Sequence, residues 1–295
     1  MFKVKRLLNK NNELEISLGK KIENMKIIIS HDVDHLYVQD HFFKDLIIPK
    51  LWVRSFIHLF QGKISVRTFY YRLTYIFSKK QNYIDEVSEY DKAAGIPSVF
   101  FFGMKNGLGM SYNRKKSLKY QKMLKDKKFD IGVHGIDYTD INKMQQEHDL
   151  FSEMSGMLSF GIRNHYVRFD EETFLKMEKC GYLYDSTWFD KTKVNIRAPY
   201  KIGKMWEFPL HIMDGYILPV GHLEKGKENT IAVLDEAEKM GMPYCTILFH
   251  DYLFNPKCYP EEREWYLWLV TYLKERGYEF ISYRDAIQEL ERTNK

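Results

Sequence analysis

The chain has 295 residues, 44% of them hydrophobic, and a net charge of +5 at neutral pH. That length and apolar content are enough for one large core, and the mild basic excess, without RRM, KH or zinc-finger spacing, argues against a nucleic-acid partner. Its three cysteines, Cys180, Cys245 and Cys258, form no CxxC pair, so no disulfide framework is expected and the cytoplasm is the expected compartment.

The opening stretch, MFKVKRLLNKNNELEISLGKK, has basic residues but no continuous apolar core and no small-residue cleavage site. It does not read as a signal peptide, and the absence of any run of about 18 apolar residues predicts no spanning helix. Residues 26–30 (KIIIS) read as a buried strand. From 41 to 80 the sequence changes character: Lys44, Lys50, Arg54, Lys63, Arg67, Arg72, Lys79 and Lys80 stand against the single acid Asp45, with ten aromatic residues interleaved. This spacing suits an inserted helical pair packed on the core, or an amphipathic contact with substrate or a membrane surface.

A helix is predicted over 82–94, with Val87, Tyr90 and Ala94 on one side and Gly95 as its stop. Strands follow at 97–102 (PSVFFF) and 129–134 (FDIGVH). Residues 140–159 carry apolar groups at helical spacing, with Thr139 or Asp140 as cap. A strand at 162–166 precedes a helix from Asp170 to Gly181. Short strands are expected near 182–185, 194–198, 206–209 and 216–220, and a helix at 229–240 leads into CTILFH (245–250). Pro260 starts a helix over 260–275; YEFIS (278–282) and a helix from Arg284 close the chain. Strands alternating with helices predict an α/β fold with a parallel sheet. No linker divides the sequence, so 1–295 reads as one domain. The first strand lacks a Gly-rich phosphate loop, which disfavours a Rossmann fold.

Four clusters carry the chemistry. Asp32 and Asp34, flanked by His31 and His35, follow the first strand; two carboxylates there are costly unless a cation or a proton transfer uses them. His134 ends the third strand before Gly135, Asp137 and Tyr138. Arg163 and His165 lie at the next strand end, where an Arg can orient a carboxylate bidentately or form an ordinary surface ion pair. His250, followed by Asp251, ends the strand at 245–250 and suits a proton donor held in one tautomer. Asp32, Asp34, His134, His165 and His250 thus all follow strand C-terminal ends, which in a parallel β/α barrel share one face.

Together these motifs resemble the polysaccharide deacetylase family, metal-dependent carbohydrate esterases with a distorted (β/α) barrel of seven or eight strands; here 41–80 is a helical insertion after the first strand. The resemblance spans about residues 25–288. SHDVD matches the first motif, which implies Asp32 as base and Asp34 as metal ligand. DIGVHG matches the second and implies His134 as ligand. RNHYVRF with the later GY and YDST is similar to the third, in which Arg163 orients the base. ILFHD matches the fifth and implies His250 as acid, and WEFPLHIMD implies Trp206 as a wall of the acetyl pocket. The second motif usually has a further His four residues on, where this chain has Tyr138. A third ligand must come from His165, Asp137, His31 or Tyr138, and His165 suits a borderline-soft ion best. Arg197, in RAPY, is a rival to Arg163, and Tyr138 and Arg197 are expected to touch substrate.

The resemblance implies a divalent ion, zinc by preference, and removal of N-acetyl groups from a sugar or cell-surface glycan. Two other readings compete. One is a sugar-binding barrel that has lost its chemistry, favoured by the missing second His. The other is a hydrolase of a different small amide on the same scaffold. The insertion 41–80 is the expected contact for a peripheral membrane or a lipid-linked glycan.

Overall fold

The computed structural model describes residues 25–41, 46–78, 80–192 and 196–293. The N-terminal stretch, Lys44, Asp45 and Lys79 of the insertion and the start of the expected 194–198 strand lie outside the described residues. Among the described residues, nine strands form one curled sheet in the order β6-β7-β5-β4-β3-β2-β1-β9-β8. They are β1 (Lys26–Val33), β2 (Val99–Gly103), β3 (Asp130–Gly135), β4 (Ile162–Asn164), β5 (Tyr184–Asp185), β6 (Tyr200–Ile202), β7 (Met205–Glu207), β8 (Ile212–Met213) and β9 (Tyr244–Leu248). All neighbours pair in parallel except β6 with β7.

The curl is visible in one side chain. Arg163 on β4 and Asp32 on β1 are three strands apart, about 14 Å in a flat sheet, yet Arg163 Nη1 lies 3.0 Å from Asp32 Oδ1. The ring is completed by chain rather than by ladder: Phe208 N–H donates to Asp185 O and Leu210 N–H to Trp188 O, both at 2.8 Å, as the backbone runs from β7 to β8. The result is the distorted barrel expected, with nine strands rather than seven or eight.

Period-two alternation divides the strands cleanly. Ile27, Ile29, Phe100, Phe102, Ile131, Val133, Cys245 and Ile247 face the surrounding helices. Ile28, Val99, Phe101, Tyr184, Phe208 and Tyr244 fill the interior, where the last helix, α10 (Tyr283–Thr293), adds Tyr283, Ala286 and Ile287. Gly132 and Gly161 permit the close approach inside: a Cβ on Gly132 would lie 2.6 Å from Gly161 O, and one on Gly161 2.1 Å from the Tyr184 ring.

The outer helices are α3 (Ile84–Ala94), α4 (Arg114–Asp126), α5 (Ile141–Ser155), α6 (Thr173–Cys180), α8 (Leu223–Lys239) and α9 (Pro260–Glu275). Asp140, not Thr139, caps α5, accepting from the Asn142 and Lys143 N–H groups. The insertion is a helical pair, α1 (Ile47–Phe60) and α2 (Val66–Leu73), whose inner face packs against Val38, Tyr75 and Cys258. Three expected strands differ. Residues 196–198 of the expected 194–198 strand are not strand, and β6 follows at Tyr200–Ile202 instead. Residues 214–217 form the short helix α7 (Asp214–Ile217), because the strand partner of β9 is the two-residue β8 just before it. Residues 278–282 make only a bridge, Phe280 to Ile27. They dock where β2 has not yet begun, since its first partner on β1 is Ser30.

His31 shows what alternation does to a titratable residue. It faces the helices, where Nε2 meets Asp91 Oδ2 at 2.8 Å and Nδ1 meets Phe249 O at 2.8 Å. Asp91, fully buried on α3, also accepts from Ser98 Oγ (2.6 Å) and Tyr266 OH (2.7 Å). His31 therefore ties β1 to α3 and is no third metal ligand. Asp91→Ala would leave three buried donors without an acceptor, and a loss of about 3–5 kcal/mol in urea unfolding is expected. A change below about 1 kcal/mol would mean that water replaces the carboxylate.

Candidate active site

At the C-terminal ends of β1, β3 and β4, three acceptor atoms converge. Asp34 Oδ1 lies 3.2 Å from His134 Nε2 and 3.3 Å from His165 Nδ1, and the two imidazole nitrogens are 3.0 Å apart. The opposite nitrogen of each ring meets a carbonyl: His134 Nδ1 lies 2.9 Å from Arg163 O, and His165 Nε2 lies 3.1 Å from Leu108 O. A carbonyl only accepts, so those nitrogens carry protons, and the other nitrogen of each ring faces inward, where a neutral imidazole presents its lone pair. Two lone pairs and a carboxylate oxygen that close demand a positive charge among them. Burial alone would raise the Asp34 pKa, but His165, His134 and His250 outweigh it and hold the carboxyl well below its ordinary range. Burial opposes charge on His134, and Asp32 and Asp34 overcome it to raise its pKa.

One carboxylate from the end of β1 and two imidazoles from the ends of β3 and β4 form the one group of three or more such ligands among the described residues that fits a metal ion. The mixed N/O donor set suits zinc or a similar divalent ion, and three protein ligands leave room for a further group. The turn that presents His165 is unusual: β4 stops at Asn164, and Tyr166 and Val167 take φ values of 59° and 46°. The left-handed pair turns the chain sharply, so His165 stays buried beside Asp34.

Asp32 sits next to this group, its Oδ2 3.6 Å from His134 Nε2. Its other oxygen is held by Arg163, whose guanidinium is fully buried. Arg163 uses all five donors: Nη1 reaches Ser30 Oγ (2.8 Å) as well as Asp32, Nε reaches Ser186 O (2.9 Å), and Nη2 reaches Ser186 Oγ (3.0 Å) and Tyr283 OH (3.2 Å). Its plane also lies 4.8 Å above the Phe101 ring. A buried cation so completely paired is fixed in place, and it fixes Asp32 with it.

On another side, His250 Nε2 lies 3.7 Å from Asp34 Oδ2, while Nδ1 lies 2.9–3.0 Å from both oxygens of Asp214. Burial works against the imidazolium, but Asp214, then Asp34 and Asp32, push its pKa up to about 10. With 18% of its side chain exposed, His250 is the most accessible of the five strand-end residues. Its orienting partner is Asp214 rather than the adjacent Asp251, which instead accepts from Tyr83 N–H at 2.8 Å, its pKa pushed up to about 8 by burial.

Comparison of the coordinates with solved structures gives a match to a Mycobacterium smegmatis protein assigned as a polysaccharide deacetylase: TM-score 0.59, 14% identity, covering 95% of this chain and 93% of that one. The chain has the polysaccharide deacetylase fold. A carbohydrate esterase family 4 (CE4) pseudoenzyme from Bacillus anthracis aligns over 90% of this chain and 66% of its own at 10% identity, TM-score 0.46. A Bordetella bronchiseptica structure, assigned as a polysaccharide deacetylase involved in O-antigen biosynthesis, aligns over 81% of this chain and 78% of its own at 13% identity, TM-score 0.36. No family model matches the sequence, and no curated protein does.

Within this deacetylase fold the five strand-end residues come together, and others do not join them. Tyr138 stacks under Arg168 (4.9 Å), and Asp137 pairs with Lys105. Arg197 lies 4.1 Å above the Trp188 ring, and its carbonyl meets His211 Nε2, so Arg163 alone of the two holds Asp32. Trp206 departs from expectation. Its ring packs with the interior cluster against α10, and its indole N–H donates to Glu291 at 3.0 Å; β7 aims it at the barrel filling. An apolar wall is instead formed by Val167, Leu210, Met213 and Leu248, the last on the same face of β9 as His250. Val167 also borders a groove of about 400 Å³ lined by Tyr138, Arg168, Phe169, Trp188 and Lys191. A larger cavity, about 690 Å³, lies between α2 and residues 254–258 and contains none of the five.

Proposed function

We propose that the chain is a metal-dependent hydrolase that removes the acetyl group from the amide nitrogen of a sugar. The observation that carries this reading is the convergence of Asp34, His134 and His165, with tautomers fixed outward, between an anchored carboxylate and a protonated imidazole. Asp34 Oδ1, His134 Nε2 and His165 Nδ1 would hold the ion, zinc by preference. When bound, such an ion supplies Lewis acidity, polarising a carbonyl and easing ionisation of water. Asp32 takes the proton from the attacking water, with Arg163 holding its Oδ1 so that Oδ2 faces the reacting group. His250 gives its proton to the departing amine, and Asp214 keeps that proton on Nε2 by accepting from Nδ1–H. The acetyl methyl packs against Leu210, Met213 and Leu248, and the sugar extends toward the groove at Tyr138 and Trp188. Buried Cys180, Cys245 and Cys258 are free thiols, which supports the cytoplasm or another reducing compartment.

Two measurements test this. Protein loaded with zinc is expected to release acetate from N-acetylated oligosaccharides, to lose that activity to a chelator, and to regain it with added Zn²⁺. Elemental analysis is expected to find about one divalent ion per chain, with His165→Ala weakening its binding at least about tenfold. Unchanged affinity in that variant removes His165 from the ligand set. Metal binding without acetate release from any N-acetyl sugar rejects the sugar deacetylase and leaves a binding protein or a hydrolase of another small amide, which a substrate panel separates.

A further inference from the structure

We propose that the α1–α2 hairpin docks the protein on an anionic lipid surface. The proposal does not depend on the hydrolase reading. On α1, Val53, Phe56, Ile57 and Phe60 recur at i, i+3, i+4 and i+7 and fill one arc of the helix. That arc faces solvent, with Phe60 87% exposed. It is not the packing face, which is the arc of Ile48 and Ser55 turned toward Val38, Tyr75 and Cys258. The hairpin therefore has two apolar faces, and the core uses one. The outer face continues onto α2 through Val66, 73% exposed, and Tyr70, and the Phe56 and Phe69 rings, 4.8 Å apart, join the two helices into one patch.

The charge around this patch selects the partner. Lys50 and Arg54 border the exposed arc of α1, while Lys63 and Arg67 lie at the turn and on α2. No Asp or Glu occurs from 46 to 78. A second protein copy would have to bring acids to meet this edge, whereas an anionic bilayer presents lipid phosphates beside an apolar interior, the complement of a cationic rim around Phe, Ile and Val side chains. The amphipathic Tyr70 ring suits the headgroup boundary, and the Phe rings suit the apolar region just beneath it. The hairpin also belongs to the rim of the site. It follows β1, which carries Asp34 just past its end, and its turn rests on Gly221, where a Cβ would meet Lys63 Cα at 2.8 Å. Docking by this patch would hold the strand-end face near the membrane, where a lipid-linked substrate is presented.

The test is sedimentation of the full chain with large unilamellar vesicles. Binding to phosphatidylglycerol–phosphatidylcholine vesicles is expected to exceed binding to pure phosphatidylcholine by about tenfold or more and to collapse in about 0.5 M salt. Ile57→Ser with Phe60→Ser, both solvent-facing, and separately Arg54→Glu, should each cut vesicle binding about tenfold at unchanged circular dichroism. Absence of binding by the unaltered chain, or binding indifferent to lipid charge, overturns the proposal. So does a dimer in solution that Phe60→Ser dissociates while vesicle binding is absent, because the patch is then a self-contact.

Discussion

Asp32→Asn is expected to keep its divalent ion and to lose about two to four orders of magnitude in acetate release. Asp32 stands outside the three converging acceptors, and its Oδ1 is occupied by Arg163. The amide is nearly isosteric and its oxygen still accepts from the guanidinium, so the barrel interior survives the change, but the group facing the site no longer takes a proton. Asp34→Asn differs in kind. It removes the only carboxylate among the three ligand atoms and should lose ion and activity together. Elemental analysis and acetate release, measured on both variants, separate the roles. Equal loss of metal would make Asp32 a ligand and require another base. Unchanged turnover in both would falsify the hydrolase reading.

Alternation along β1 explains how much of this site the sequence disclosed. Once KIIISHDV is a strand, Ile28, Ser30, Asp32 and Asp34 share one face and His31 the other, so the aspartates are separated from His31 by period alone. His134 and His250 follow the same rule on β3 and β9. Arg163 follows it on β4, but RAPY also resembles the third motif and makes Arg197 a rival, and only the curl that brings β4 over β1 distinguishes them. His165 was legible as a strand-end imidazole. Its approach to Asp34, however, depends on the left-handed turn at Tyr166 and Val167, residue types that rarely adopt that conformation. Trp206 was misplaced because a motif match carries no information about which side of a strand a ring faces.

Asp214 escaped the sequence reading for a different reason. It lies 36 residues before His250, and the strand that delivers it, β8, has only two residues, too few for a hydrophobic period. Its signal was present all the same. An acid directly follows Ile212–Met213, and β8 runs parallel to β9 with Met213 opposite Leu248, so Asp214 and His250 emerge side by side. Strand-end logic applied to a shorter strand finds it. The hairpin, by contrast, is legible as helices and as a candidate membrane or substrate contact, but the sequence carries no indication of which of its two apolar faces the core uses.

The pairing of Asp214 with His250 leads to the second large effect. Asp214→Asn is expected to lower acetate release by about one to two orders of magnitude near neutral pH and to move the alkaline limb of the pH profile to lower pH. His250 serves as a proton donor, so activity is present below its pKa in the folded protein and is lost as pH rises through it. That pKa stands at about 10 because carboxylates, with Asp214 foremost, outweigh burial. The neutral amide removes the largest attraction, the pKa falls, and the limb follows it downward. Asp214 serves the Gly215 N–H through Oδ1 and the His250 N–H through Oδ2, and the single amide oxygen keeps only one of them, so circular dichroism and metal content are measured on the variant to separate a loss of fold from a loss of proton donation. Asp251→Asn is the control: its carboxyl serves the Tyr83 N–H, and the limb should move less than in Asp214→Asn. A pH profile that Asp214→Asn scales down without displacing would mean that His250 is not the titrating acid, and the donor of the leaving-group proton would have to be sought elsewhere on the rim.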